Sequence, residues 1–374
     1  MVLFYHSIDG GFLGVQPNGL PKVDSLLKLF IANGQSGVAL FFVISGFLFT
    51  WGALRSGAFD WKKFYTNRFL RIFPMYLLIL LVVICLSRGA FSFGDFIQNL
   101  LGFGNLSNPI GQFDVVLWTI SVELQFYMIF PFLVSLLKRQ GVKYIYGLIG
   151  IMLMIRAIVF LGGGSLHGPI CYTMLGRFDV FLIGMALAWH IHKMHWLSTE
   201  RSQRFGGGVL GAGIIGTLIL MTGLFWIYSK LGWQYGETGF NVIWPTLEGA
   251  IMASFAVFYT GLMRRYQPRF ANVIQFVGMI SYSLYLLHYP IVHALGRHIP
   301  HLIAGHSLLS GMLWTTFIAL PVSLLASFLT YTVIEKPPLQ MRKRYSTFSK
   351  AASDEGENKQ IPALPIPVVS GSDA

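Results

Sequence analysis

Charge is what this chain has least of. Only 11% of its 374 residues are Asp, Glu, Lys or Arg, 15 acidic and 27 basic, where a soluble domain carries about 25%. So sparse a complement excludes an ordinary soluble fold. Cysteine is nearly missing too: Cys85 in an apolar stretch and Cys171 in a connection make no disulfide framework. There is no GxxxxGK[ST] loop to cradle a nucleotide, no GxGxxG after a strand and no GxSxG elbow, so ATP hydrolysis within the chain is excluded. The N-terminal apolar run is short and lacks the basic leader of a cleavable signal peptide.

In place of charge the chain has long apolar runs, and 54% of its residues are hydrophobic. Windows with little or no charge cover residues 36–54, 69–87, 115–137, 144–161, 177–192, 205–229, 241–263, 270–296 and 302–334. A bilayer core needs helices of about 20 apolar residues, and these windows do not alternate as the strands of a membrane barrel would. The expected fold is all-α, a polytopic helical bundle with nine full spans. Met1–His6 reads as the last turns of a further, truncated first helix, which would make ten in a complete pattern. Residues 1–345 form the membrane domain; from 346 to 374 the composition turns to Ser, Lys, Asp, Glu and Pro, expected to be a disordered cytoplasmic tail.

Basic residues alternate between the two sides. Arg55, Lys62, Lys63, Arg68, Arg71, Lys138, Arg139, Lys143, Lys193, Arg201, Arg204, Arg264, Arg265, Arg269, Lys336, Arg342, Lys343 and Arg344 fall on one side; Lys22, Lys28, Arg88, Lys230 and Arg297 fall on the other. The richer side is assigned to the cytoplasm, with the C-terminus, in the cell inner membrane. The net charge of +12 is thereby a matter of topology, and nucleic acid is not expected as a partner.

Ionisable groups inside spans are costly and mark either function or a buried pairing. Here they are His6, Glu123, Arg156, Arg177, Asp179, Glu248 and His288, with Asp114 at a span entrance. Glu123 shares a helical face with Thr119 and Tyr127. It reads either as a structural partner of Arg156 or Arg177, or as a carboxylate that orients a histidine for acid–base work. His6 reads as a catalytic group or as a satisfied core side chain. Arg68 and Arg71, three apart at the start of a span, suit a phosphate near helix N–H groups, or simply anchor the span on its cytoplasmic side. His190, His192 and His195 do not share one helical face and have no further ligand, so no metal site is expected. His293, His298, His301 and His306 read as histidines of an extracytoplasmic loop.

The ordered series VLFYHS (2–7), GQSGVALFFVISGFLFT (34–50), FYTNRFLRIFPMY (64–76), LWTISVELQFYMIFP (117–131), RFDVFLIGMALA (177–188), GMISYSLYLLHYPIV (278–292) and VIEKP (333–337) resembles the acyltransferase-3 family of integral membrane acyltransferases. The resemblance implies transfer of an acyl group, commonly acetyl from acetyl-CoA, onto a hydroxyl of a cell-surface or exported carbohydrate or glycolipid. It implies His6 as catalytic base, Glu123 as its partner, and Arg68 and Arg71 as the donor's phosphate site. Trp118 and Tyr127 are expected along the substrate channel, with Ser281 and Tyr282 supplying hydroxyl donors; each reads equally as packing. Family members usually carry an arginine about ten residues before the histidine, and this chain begins five before it. Some members continue into an extracytoplasmic hydrolase-like domain, so acceptor handling falls to the membrane domain or to a separate partner. A rival reading is a secondary transporter of a small anion or lipid-linked sugar, with Glu123 and His6 as a proton relay; a third is a non-catalytic scaffold.

Overall fold

A computed structural model describes residues 1–9, 25–56, 59–86, 92–106, 114–166, 172–194, 206–231, 238–266, 271–298 and 308–342. All its regular elements in these segments are helical. In chain order they are α1 (Val2–Asp9), α2 (Leu26–Ala32), α3 (Ser36–Arg55), α4 (Trp61–Leu86), α5 (Phe93–Leu100), α6 (Asp114–Gln140), α7 (Val142–Leu161), α8 (Met174–Lys193), α9 (Gly207–Leu231), α10 (Phe240–Arg265), α11 (Ala271–His298) and α12 (Leu308–Gln340). Cys171, His195, His301, His306 and the tail from 346 to 374 lie outside the described residues.

Eight of these helices are long and apolar enough to cross a membrane: α3, α4, α6, α7, α8, α9, α10 and α12. The protein is a multi-pass helical membrane protein. The ninth expected span, 270–296, forms α11, a 28-residue helix of about 42 Å at 1.5 Å per residue. It falls outside the eight because Asn272, Gln275, Ser281, Tyr282, Ser283, Tyr285 and His288 dilute its apolar character. Such a helix is tolerated where its polar side meets protein, and α11 packs against α1, α4, α6 and α12. His293 and His298 belong to this helix, not to a loop.

Two departures concern helix ends. The window at 69–87 becomes a helix starting at Trp61, with the Asp60 carboxylate accepting from the Lys63 N–H at 3.0 Å. Helix α12 is interrupted by π-helical turns at Thr315–Ala319 and Tyr331–Glu335, a local widening often found where a side chain must be re-aimed.

Helix α8 occupies the centre, touching α3, α6, α7 and α10. Its contact with α3 is made backbone to backbone: Gly46 of α3 faces the Phe181 carbonyl and Gly184 of α8 faces the Val43 carbonyl. Small residues at such crossings are what lets membrane helices gain dispersion contact without a hydrophobic drive between them. Beside the crossing, Phe181 stacks on Phe42 at 4.5 Å and on Phe126 at 4.1 Å. Outward faces stay apolar, as Ile158, Ile219, Leu220 and Val333 show.

The basic ends of several helices converge. Arg55 lies over Trp51, whose ring meets His192 at 5.9 Å, Arg264 faces Arg55, and Lys138 Nζ donates to the Ser56 carbonyl at 3.4 Å. The C-terminal ends of α3, α6, α8 and α10 thus share one side, as the alternation of charge requires.

Candidate active site

Helix α6 places Thr119, Glu123 and Tyr127 on one face at a spacing of four. Glu123 is 3% exposed. The Tyr127 hydroxyl, one turn on, donates to its carboxylate Oε1, and Ser45 Oγ from α3 donates to the same oxygen at 3.4 Å. Arg68 and Arg71 of α4 lie within electrostatic range of that carboxylate. The alternative pairing of Glu123 with Arg156 or Arg177 is not what forms. Arg156 Nη2 sits 2.6 Å from Asp179 Oδ2 and 2.7 Å from Thr246 Oγ1, and Arg177 Nη1 sits 2.7 Å from Glu248 Oε2, which Ser36 also supports. These two buried ion pairs bind α3, α7, α8 and α10 to one another and leave Glu123 to the hydroxyls and the α4 arginines.

The arginines do not sit at a helix N-terminus. Because α4 begins at Trp61, Arg68 and Arg71 lie about two to three turns inside it, where backbone N–H groups are consumed by helical bonds. Helix-terminal N–H groups are therefore not on offer at these arginines, and the donors they present are the guanidinium forks. Arg71 is committed in part: its Nη1 is 3.0 Å from Glu335 Oε2 in the second π turn of α12, Ser283 Oγ donates to the other Glu335 oxygen, and its guanidinium lies over the Tyr282 ring at 5.4 Å. Arg68 is less committed. Its guanidinium covers the Phe49 ring at 4.5 Å and faces the Tyr127 phenol, while its buried Nε has no hydrogen-bond partner.

Toward the other end of α6 the polar line continues. The Thr119 hydroxyl is 2.9 Å from the Tyr285 hydroxyl of α11. One turn further along α11, His288 places Nδ1 2.6 Å from the Tyr285 carbonyl, and its ring lies 5.3 Å from that of His6 in α1. His6 is half-buried and also meets Tyr289 at 5.2 Å and Tyr5 at 4.9 Å. From Tyr282, which contacts Arg71, to His288, which contacts His6, is six residues of α11, about 9 Å of rise. Arginines and imidazole therefore stand at two ends of one internal row: Arg68, Tyr127, Glu123, Thr119, Tyr285, His288, His6.

A family model described as an acyltransferase domain, that of the acyltransferase-3 family, matches residues 1–332. The chain belongs to the acyltransferase-3 family. Among curated relatives it is 27% identical over 290 residues to the O-acetyltransferase OatA of Staphylococcus aureus strain NCTC 8325, covering 70% of this chain and 47% of the relative. It is 28% identical over 296 residues to a putative O-acetyltransferase of Staphylococcus aureus strain COL, covering 71% and 47%. The chain thus spans about half the length of these relatives. No solved structure matches it.

Several residues that the acyltransferase-3 pattern pointed to are placed differently from expectation. Glu123 does not reach His6: its hydrogen bonds go to Tyr127 and Ser45, and the imidazole beside His6 is His288. Ser281 is exposed and its hydroxyl donates to the Gly278 carbonyl of its own helix at 2.8 Å, so it is not brought to the row. Trp118 packs against Tyr172 and Phe42 and lies 5.9 Å from the Arg177 guanidinium, off the row. Tyr127 is a hydrogen-bond partner of Glu123, and Tyr282 donates to the Ile72 carbonyl at 3.0 Å beneath Arg71. Glu335, Ser283 and Tyr285 belong to the row's neighbourhood without having been expected there. The signals were present in VIEKP, a carboxylate at a span end, and in SYSLYLLHYP, whose hydroxyls and imidazole recur at helical spacing.

Proposed function

We propose that this protein is a membrane O-acyltransferase that moves an acyl group, commonly acetyl, from acyl-CoA to a hydroxyl of a cell-surface or exported carbohydrate. The observation that carries the reading is the internal row linking Arg68 to His6 in a bundle of the acyltransferase-3 family. Arg68 suits the anionic end of the donor, because its buried Nε is an unsatisfied charged donor and such groups are costly unless paired. Arg71 can add its remaining N–H groups while Glu335 holds its orientation.

The chemistry assigned to the far end is a direct transfer. His6 takes the proton of the acceptor hydroxyl as that oxygen bonds to the thioester carbonyl carbon. The carbon–sulfur bond breaks, and the departing thiolate takes the proton from the imidazolium, giving an ester and free CoA thiol. A positioned base contributes about 10²–10⁴-fold to such a step. Glu123, between the two ends and held by Tyr127 and Ser45, balances the guanidinium charge and fixes the Tyr127 phenol. The basic ends of α3, α6, α8 and α10 are assigned to the cytoplasm, together with the C-terminus, in the cell inner membrane.

The test uses the full chain in lipid nanodiscs with labelled acetyl-CoA and a panel of bacterial surface oligosaccharides. Label in an alkali-sensitive ester, matched by equal release of CoA thiol, is the expected result. No ester with any acceptor, together with uptake of the same sugars or anions into proteoliposomes, overturns the reading in favour of a transporter.

A further inference from the structure

His288 is 2% exposed, and its two nitrogens have different surroundings. Nδ1 lies 2.6 Å from the Tyr285 carbonyl. A carbonyl only accepts, so Nδ1 carries the proton, and the neutral ring presents a bare lone pair on Nε2. That Nε2 is buried and has no hydrogen-bond partner. The neighbouring imidazole is His6, with centroids 5.3 Å apart and planes tilted by 41°, a separation that one bridging water or a small turn of either ring closes to a hydrogen bond. Glu123 is occupied elsewhere, by Tyr127 and Ser45.

We infer that His288 is the positioning residue for His6. Its Nε2 accepts the N–H of His6, which fixes the tautomer of that ring and leaves the other His6 nitrogen bare to take the acceptor's proton. The arrangement does with a neutral imidazole what a carboxylate does in a charged triad: it orients the base and supports the imidazolium that forms. The bond from Nδ1 to Tyr285 in turn fixes His288, so the order of support is Tyr285, His288, His6. This rests on the reading of His6 as the base.

The test compares His288→Gln, His288→Asn and His6→Ala in the full chain in nanodiscs. A Gln side chain places its amide oxygen near the position of Nε2 and keeps an acceptor for His6; Asn places its amide nitrogen near Nδ1 and keeps only the bond to Tyr285. The expected result is that His288→Asn lowers kcat by about 10²-fold while His288→Gln retains most of it, with the KM for acetyl-CoA unchanged in both. Asn performing as well as Gln, or a change confined to KM, overturns the inference and leaves His288 a structural residue. Activity in His6→Ala would instead defeat the base assignment itself, so the two failures are distinguishable. Should the variants not fold, nitrogen NMR of histidine-labelled wild type serves: the His288 Nε2 resonance is expected at a hydrogen-bonded position, and a non-bonded position refutes the contact.

Discussion

Gly46 sits where α3 presses on α8, and replacing it with alanine gives a sharply defined perturbation. The added methyl would fall onto the Phe181 backbone carbonyl, which unlike a side-chain tip cannot swing aside. Restoring carbon–oxygen contact requires the helices to part by about 1 Å. Overpacking of this kind costs about 1–3 kcal/mol, a fall of roughly 1–4 °C in the unfolding midpoint for a bundle of this size. The effect on chemistry should exceed the effect on stability. Ser45, the preceding residue, already holds Glu123 at 3.4 Å, and a further 1 Å breaks that bond; misplacement by that distance can cost about 10²-fold in rate. The matched control is Gly52→Ala on the same helix, where nothing lies within 4 Å of the new carbon and the substitution should be neutral or stabilising by up to about 1 kcal/mol. Thermal unfolding in detergent and acetyl transfer in nanodiscs read the two effects. Gly46→Ala matching Gly52→Ala in both would refute the backbone-close crossing and the positioning of Ser45 that depends on it.

Other perturbations separate structure from chemistry. Asp179→Asn strands the fully buried Arg156, an imbalance worth about 3–5 kcal/mol, and should appear as loss of folded protein in size exclusion, with any folded fraction fully active. Glu335→Gln frees Arg71, whose side chain is 24% exposed while that of Glu335 is fully buried, so it removes charge-assisted hydrogen bonds worth about 1.5–3 kcal/mol and should lower the unfolding midpoint by roughly 2–4 °C. The same variant should change the KM for acetyl-CoA by several-fold in donor titrations.

Much of the bundle is legible in the sequence because membrane burial is written as continuous apolar runs. Eight windows become apolar helices, and α11 forms over the ninth even though its polar face lowers its hydropathy. Relations within one helix are equally readable: Thr119, Glu123 and Tyr127 share a face, and Tyr127 bonds Glu123. Relations between helices are not, since spacing along one helix says nothing about which neighbour faces it. That is why Glu123 is expected to reach His6 or a membrane arginine, yet finds Ser45 of α3. It is also why Arg156 and Arg177 find Asp179 and Glu248 instead. The start of α4 was obscured because WKKFYTNRFLR is too polar to count as span, although Asp60 caps it and its helical spacing is unbroken. Glu335 sits at a span end where charge is ordinary, and only the π turn reveals its direction toward Arg71.

The central claim is that Arg68 and His6 serve one reaction from opposite ends of a shared row. Steady-state transfer by Arg68→Ala and His6→Ala, with acetyl-CoA varied at saturating acceptor, tests it most directly. Arg68→Ala should raise the donor KM while keeping kcat within a few-fold, and His6→Ala should lower kcat by at least about 10²-fold with donor binding intact. Full activity in either variant, or an equal loss of folded protein in both with normal turnover in what remains, would contradict the account.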